Sequence, residues 1–279
     1  MTAFSYPHGA VAHSMSPRPD ASLFERHCHN GYELLFVLRG EGDYIVEGTL
    51  YPLRGGTLML LRPWEYHYVR PQAGSPYERY VINFDASVPV DAAANLAMLS
   101  TAKVKSHGIY FSSPGLMRRL PPVLRLLELL DELPAQDARC ETLVRTVVTQ
   151  LLTLLSLEET AEDEACTNGL VSGVIDRLNR GITEDITLDR LAQEFYISKF
   201  YLCRTFRQYT GMSLMTYLNT KRMALAQQLL LQGRPATETA ELVGYHDYSS
   251  FYRAYRKHTG HAPIQGRRQG APGLEEKAP

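Results

Sequence analysis

Two sets of side chains in this sequence have the types and spacing to do chemistry. The first centres on Arg204 and Arg253. A guanidinium held outward on a helix is a planar fork of donors that can bond two acceptors on one guanine edge, a contact worth about 1–3 kcal/mol of discrimination. Nearby, Lys199, Arg207, Arg256 and Lys257 carry charge suited to phosphate, which positions a protein on a duplex without specifying sequence. The second set begins with His27-x-His29. Side chains two apart on an extended strand share a face, so two imidazoles come together as chelation requires.

The elements that must hold the first set are helical. In ITLDRLAQEFYISKFYLCRTFRQYTG, Thr187 can cap a helix bearing Leu188, Leu191, Ala192 and Phe195 on one face. Tyr196-Ile197 form a short break, and Ser198 caps a second helix. There Leu202 and Phe206 turn inward, leaving Lys199, Phe200, Cys203, Arg204 and Arg207 on the other faces. Two helices across so short a turn make a helix-turn-helix, whose second helix can enter a major groove. The arrangement returns in ATETAELVGYHDYSSFYRAYRKHTG. A short helix with Ala240, Leu242 and Val243 stops at Gly244, and Asp247 or Ser249 caps the next. Phe251 and Tyr255 face inward there, while Tyr248, Ser250, Tyr252, Arg253 and Arg256 point outward. FRQYTG at 206–211 and YRKHTG at 255–260 display the repeat directly. Between the units the spacing predicts a helix from Ser213 to Leu231, roughly 28 Å long, against about 34 Å between successive major-groove segments on one face of DNA.

Composition supports this division. An apolar fraction of 44% and a charged fraction of 21% are those of a globular chain, and its 279 residues suffice for two domains. Residues 170–270 carry 14 Lys and Arg against 8 Asp and Glu; the rest carries 15 against 22. That asymmetry is expected of a nucleic-acid-binding domain joined to something else, and a net charge of -1 conceals it. No run approaches the roughly 20 apolar residues of a membrane span. The N-terminus lacks the charged start and apolar run of a signal peptide, so cytoplasmic location is the expectation. Cys28, Cys140, Cys166 and Cys203 lie far apart and read as reduced thiols.

From about Leu23 to Asp85, short apolar or alternating runs broken by glycine point to strands of an all-β barrel or sandwich. From about Pro114 to Glu159 the period is helical. Pro121-Pro122 suits a first turn, and Leu143, Val147, Leu151, Leu154 and Leu155 make one stripe. This helical hairpin could pack on the barrel or form a dimer interface. EETAEDEACTNG reads as a linker.

The stretch from Ile186 to Arg267 resembles the AraC/XylS transcriptional regulators. The residues that carry the likeness include Leu191-Ala192, Ser198, Leu202, Arg204, Phe206, Thr210-Gly211, Tyr217, Arg222, Ala226, Leu229-Leu230, Val243-Gly244-Tyr245, Asp247, Ser249, Phe251, Arg253 and Gly260 to Pro263. Tyr255 departs from the usual Phe, and Gly266 from a frequent aromatic. The resemblance places the base-reading positions at Phe200, Cys203 and Arg204, and at Tyr248, Ser249, Tyr252 and Arg253. With Lys199, Arg207 and Arg256 as phosphate contacts these form the expected DNA-binding set.

HCHNGYELLFVLRG and GGTLMLLRPWEYHYVRP resemble the cupin barrel that often precedes this module, through His27, His29, Glu33, Gly40, Gly56, Pro63 and His67. Metal-binding cupins use two His, a Glu and a later His. Here Pro63-Trp64-Glu65-Tyr66-His67 is one residue shorter than the usual second motif and lacks its glycine. The expectation is therefore no resident metal or cofactor, and a small-molecule pocket lined by His29, Glu33, Tyr44, Trp64 and His67. Trp64 could stack on a sugar face or belong to the core. The whole reads as a multidomain chain with two parts. Residues 1–160 form a cupin-like all-β effector-binding and dimerisation domain with a helical hairpin, and residues 170–268 an all-α DNA-binding domain with two helix-turn-helix units. The resemblance implies a homodimeric activator that binds double-stranded DNA and responds to a small effector, sugars being the suggested class. RNA polymerase is an expected partner, and no catalysis is expected. The rival reading is a metal-dependent cupin enzyme with a regulatory DNA-binding tail.

Overall fold

A computed structural model describes residues 2–6, 8–20, 24, 26–29, 31–85, 87–88, 108–111, 114–134, 137–157, 166 and 168–263. The chain divides into two compact units, Met1–Cys166 and Thr167–Pro272.

Nine strands are described in the first unit: β1 (Thr2–Tyr6), β2 (Gly9–Ser16), β3 (Tyr32–Arg39), β4 (Glu41–Val46), β5 (Thr49–Arg54), β6 (Leu58–Leu61), β7 (His67–Pro71), β8 (Tyr77–Phe84) and β9 (Ile109–Phe111). They pair as one sheet in the order β1-β2-β8-β3-β6-β9 and a second in the order β5-β4-β7. All these pairings are antiparallel. Alternation decides the layers, since successive residues of a strand face opposite ways. In β3, Leu35 and Val37 pack with Tyr44, Val46, Tyr51, Leu53 and Val69 of the second sheet. Leu34 and Phe36 turn the other way, into a core shared with the helices. The β4–β5 hairpin turns on Glu47 and Gly48, both at positive φ (49° and 77°), a two-residue turn suited to strand twist.

Helices α1 (Pro114–Arg119), α2 (Pro121–Glu132) and α3 (Ala138–Leu155) follow, with the proline pair in the first turn of α2 as expected. The inward stripe of α3 is Cys140, Val144, Val147, Val148, Leu151, Leu152 and Leu155; the expected Leu143 and Leu154 lie on its half-buried margin. The sheet covered by this helical pair buries a face broader than one row of positions.

Strand structure begins at Thr2, well before Leu23, and Leu23 itself is outside the described residues. β2 is built mostly from small and polar residues, so its apolar alternation is faint, and backbone pairing to β8 over eight residues holds it, while Phe4 and Tyr6 of β1 pack against the core. Within the described residues the strands form two facing sheets and not one closed barrel. His27-x-His29 is not on a strand. His27 makes a single bridge to His67, the first residue of β7, before the chain turns into β3.

The second unit is helical: α4 (Gly169–Arg180), α5 (Leu188–Glu194), α6 (Lys199–Thr210), α7 (Leu214–Leu231), α8 (Ala236–Leu242) and α9 (Tyr248–Thr259). Most of the expected linker, and the stretch from residue 264 that includes Gly266 and Arg267, lie outside the described residues. No described helix is long and apolar enough to cross a membrane. The four cysteines are free thiols.

Candidate nucleic-acid interface and ligand cluster

The first helix-turn-helix forms as its caps dictate. Thr187 accepts a hydrogen bond from the Arg190 amide and opens α5; Ser198 accepts from the Tyr201 amide and opens α6. Between them Tyr196 sits at φ 54° and is 96% exposed, a left-handed turn made without glycine. Helix α6 buries Leu202, Thr205, Phe206 and Thr210, then stops at Gly211 in the left-handed conformation. Its outer face carries Phe200, 76% exposed, with the Arg204 guanidinium 6.0 Å from the ring centroid. Arg207 is exposed and Cys203 half-buried. Lys199 reaches back to Asp189 of α5 at 2.6 Å, so its charge is already partly matched.

In the second unit Asp247 caps α9 by accepting from the Ser250 amide at 2.8 Å. That hydrogen bonding keeps the Asp247 carboxyl below its ordinary value. Phe251 and Tyr255 are buried; Ser249, Arg253 and Arg256 are exposed. Tyr248 and Tyr252 are half-buried, their ring centroids 6.2 Å apart. Arg253 donates to Ser250 Oγ at 3.2 Å. Leu242 is the last residue of α8 and is 42% exposed, and the chain turns at Val243 and Gly244.

Helix α7 joins the two reading heads and is about 27 Å long at about 1.5 Å per residue. It is buried at Leu214, Tyr217, Leu218, Met223, Ala224, Ala226 and Leu230, positions that wrap around the helix and make no single stripe. The reason is that each head packs on it. Tyr217 meets Phe206 of α6 edge-on at 5.7 Å, while Met223, Ala226 and Leu230 share a core with Val243, Phe251 and Tyr255. Arg222 extends this junction. Its Nε and an Nη donate to the carbonyls of Ile182 and Glu184 at 2.8 and 2.7 Å, and its guanidinium lies 5.7 Å from the Tyr245 ring centroid. Sequence reasoning counted Arg222 among the family-like residues but did not foresee this role. An arginine at an otherwise apolar helix position was the available signal.

The first unit brings His27, His29, Glu33 and His67 together, one ligand atom from each lying within 4.8 Å of the others. Glu33 comes from β3, His67 from the start of β7, and the other two from the segment before β3. Glu33 and His67 are buried, at 4% and 1% exposure, and His27 lies at the rim. Tyr44 donates its hydroxyl to Glu33 Oε1 at 3.1 Å. Burial and the Glu33 charge push that phenol well above its ordinary value, so it remains a donor. On the other carboxylate oxygen, His29 Nε2 stands at 3.0 Å and His67 Nε2 at 3.7 Å. Burial works against the Glu33 charge, but His67 and the bond with His29 hold its carboxyl well below the usual range. For His67 burial favours the neutral ring, and Glu33 outweighs it and raises the imidazole. Trp64 is half-buried at φ 67°, its amide bonded to the His29 carbonyl at 2.8 Å. His29, Glu33, Tyr44 and His67 are thus one connected group, with Trp64 joined to it through backbone.

Family profiles match both units: an AraC-like ligand binding domain over residues 15–148 and a helix-turn-helix domain over 191–269. Among curated proteins the chain is similar to the HTH-type transcriptional activator RhaS of Salmonella schwarzengrund (strain CVM19633), 25% identical over 266 residues and covering 92% of each chain. Among solved structures, the C-terminal domain of AraT, a response regulator from Geobacillus stearothermophilus, is 29% identical over 40% of this chain and 98% of that one, with a TM-score of 0.35. ToxT from Vibrio cholerae matches 92% of this chain and 97% of its own at 10% identity and a TM-score of 0.38.

Proposed function

From the premise that the chain belongs to the AraC family of transcriptional regulators, we propose that it is an activator whose two heads read one DNA site across consecutive major grooves. Residues 170–268 are the DNA-binding domain on this reading, and residues 1–160 the effector-binding and dimerisation domain. The observation that carries it is the pairing of two exposed helix faces, each with an outward arginine, on one connector of about 27 Å. Arg204 and Arg253 are the guanine readers, with Phe200 placed to pack on a thymine methyl. Ser249 and the tyrosines Tyr248 and Tyr252 complete the second face, and Cys203 the first. Lys199, Arg207 and Arg256 contact phosphate.

The effector is a small polar molecule of the sugar class, held by His29, Glu33, Tyr44 and His67 with Trp64 offering a ring face. The protein works as a cytoplasmic homodimer that engages RNA polymerase, and it is a regulator and not an enzyme. Selection of bound sequences from a random DNA pool tests the central claim. Two enriched blocks whose centres lie about one helical turn apart are expected. A single short block, or no enrichment, refutes two-groove reading.

A further inference from the structure

We infer that Asp247 and Ser250 are positioning residues for Arg253. Together they hold its guanidinium in place, so that the second head presents an anchored base reader where the first presents a freer one. The inference rests on Arg253 reading a guanine, and it names what sets the stringency of that reading. Three observations carry it.

The first is a line of contacts along the exposed start of α9. The Asp247 carboxylate accepts from the Ser250 amide at 2.8 Å and caps the helix. The Ser250 side chain hydrogen-bonds the same carboxylate; with the amide and the Arg253 charge it keeps that carboxyl below its ordinary value. A hydroxyl whose hydrogen goes to a carboxylate offers its oxygen only as an acceptor. Ser250 Oγ accepts in turn from Arg253 Nη2 at 3.2 Å. The donors therefore run one way, from guanidinium through hydroxyl to carboxylate.

The second is what this contact leaves free. A guanidinium has five N–H donors, and engaging one of the two on Nη2 leaves a two-donor edge complete. Such an edge is what guanine O6 and N7 require. Ser250 is half-buried and Arg253 exposed, so the anchor lies toward the protein and the rest of the fork toward solvent. A side chain anchored beforehand loses less freedom on binding. It is also less able to swing onto an acceptor of a wrong base, which turns affinity into discrimination.

The third is the internal repeat. The register that aligns Phe206 with Tyr255 also aligns Ser198 with Asp247, Tyr201 with Ser250 and Arg204 with Arg253. The first head is capped by a neutral hydroxyl, Ser198 accepting from the Tyr201 amide at 3.2 Å. Tyrosine at 201 carries its own hydroxyl at the far end of a ring. Arg204 has the Phe200 ring instead, 6.0 Å away, at the outer limit of a cation–π contact. Since a serine cap suffices to open α6, helix formation demands neither the acid at 247 nor the hydroxyl at 250.

The test reads a ratio. The full chain is titrated by mobility shift, at fixed salt, with its selected DNA site and with versions in which each G·C pair is replaced in turn by A·T. The guanine whose replacement no longer matters in Arg253→Ala is the one Arg253 reads. In Ser250→Ala the cost of replacing that guanine should fall by about 2- to 10-fold, the range of one modest hydrogen bond. Ser250→Thr keeps the hydroxyl and should keep the full cost. Asp247→Ser retains a competent cap and should lose discrimination at the same guanine. Guanines of the other block should keep their full cost in both Ser250→Ala and Asp247→Ser. A merely structural effect weakens matched and replaced sites alike and leaves the ratio where it was. The inference is overturned if Ser250→Ala keeps the wild-type ratio while Arg253→Ala abolishes it; reading by Arg253 then stands and its positioning falls. If Arg253→Ala changes no ratio, Arg253 is not a reader and both fall together.

Discussion

Replacing Arg222 by Met isolates the device that ties the two reading heads together. Methionine keeps most of the alkyl stem packed in α7 and removes the guanidinium. Two hydrogen bonds disappear, to the Ile182 and Glu184 carbonyls at 2.8 and 2.7 Å. Each bond from a charged donor contributes about 1.5–3 kcal/mol, so the gross loss is about 3–6 kcal/mol. Two effects offset part of it. Glu184 is exposed and Ile182 half-buried, so their carbonyls regain water, and the penalty of burying a guanidinium at 9% exposure is no longer incurred. A net destabilisation of about 2–3 kcal/mol follows. The assay follows from the placement of Trp64, which is the only tryptophan and lies in the first unit. In urea, far-ultraviolet circular dichroism reports largely on the helical unit and tryptophan fluorescence on the other. The helical midpoint should fall by about 1–1.5 M, taking a slope of about 2 kcal/mol/M. The fluorescence midpoint should not move. An unchanged helical midpoint would refute the reasoning, because the guanidinium would then be dispensable to the turn it bonds.

Other outcomes are equally open to measurement. Arg204→Ala and Arg253→Ala should each weaken binding to the selected site by about 1–3 kcal/mol, roughly 5- to 150-fold, with unaltered folding; unchanged affinity in a mobility-shift titration at fixed salt sinks the assignments. Arg207→Ala and Arg256→Ala should each lower the slope of log K against log salt by about 0.9. Lys199→Ala should lower it less, since Asp189 already lies 2.6 Å from its ammonium; equal slopes for all three would contradict the phosphate reading. Gly244→Ala should cost about 2 kcal/mol or more of helical stability, since Gly244 sits at φ 82° and an added Cβ would lie 2.7 Å from the Thr183 carbonyl oxygen. Wild-type stability in that variant would mean the turn relaxes freely.

The helical unit was legible in the sequence nearly residue by residue, because its determinants are local. Ser198 and Asp247 announce helix starts, Gly211 and Gly244 announce stops, and the inward pairs Leu202/Phe206 and Phe251/Tyr255 follow helical spacing. What escaped was non-local. Arg222 finds its partners some forty residues away, and no periodicity points to them. In the first unit the central strands declared themselves through β-branched and aromatic residues, whereas β2, mostly small and polar, is held by backbone pairing to β8 on one side and β1 on the other. His27, His29, Glu33 and His67 were all picked out as chemically active types, the histidine pair for the wrong local reason. The histidine pair sits on a bridge to β7 and not on a strand, and only the folded chain shows that the four ligand atoms converge.

The way α7 is buried limits how a signal can act on DNA binding. Both heads pack into that one helix, through Tyr217 and Phe206 on one side and Met223, Ala226 and Leu230 on the other. Arg222 and the close approach of Gly244 to Thr183 bind the turn before α5 to the turn before α9. Changing the spacing between the heads would mean breaking a close-packed core, and such cores do not deform continuously. A ligand in the other unit therefore has no soft coordinate here by which to retune the distance between half-sites. What it can bias is whether the whole helical unit is free to engage, and only by its difference in affinity between engaged and disengaged states. A shift from 1:99 to 99:1 requires about 10⁴-fold preference, or about 5.5 kcal/mol. On the reading proposed here, the same DNA sequence is therefore recognised with and without effector, and only the occupancy changes.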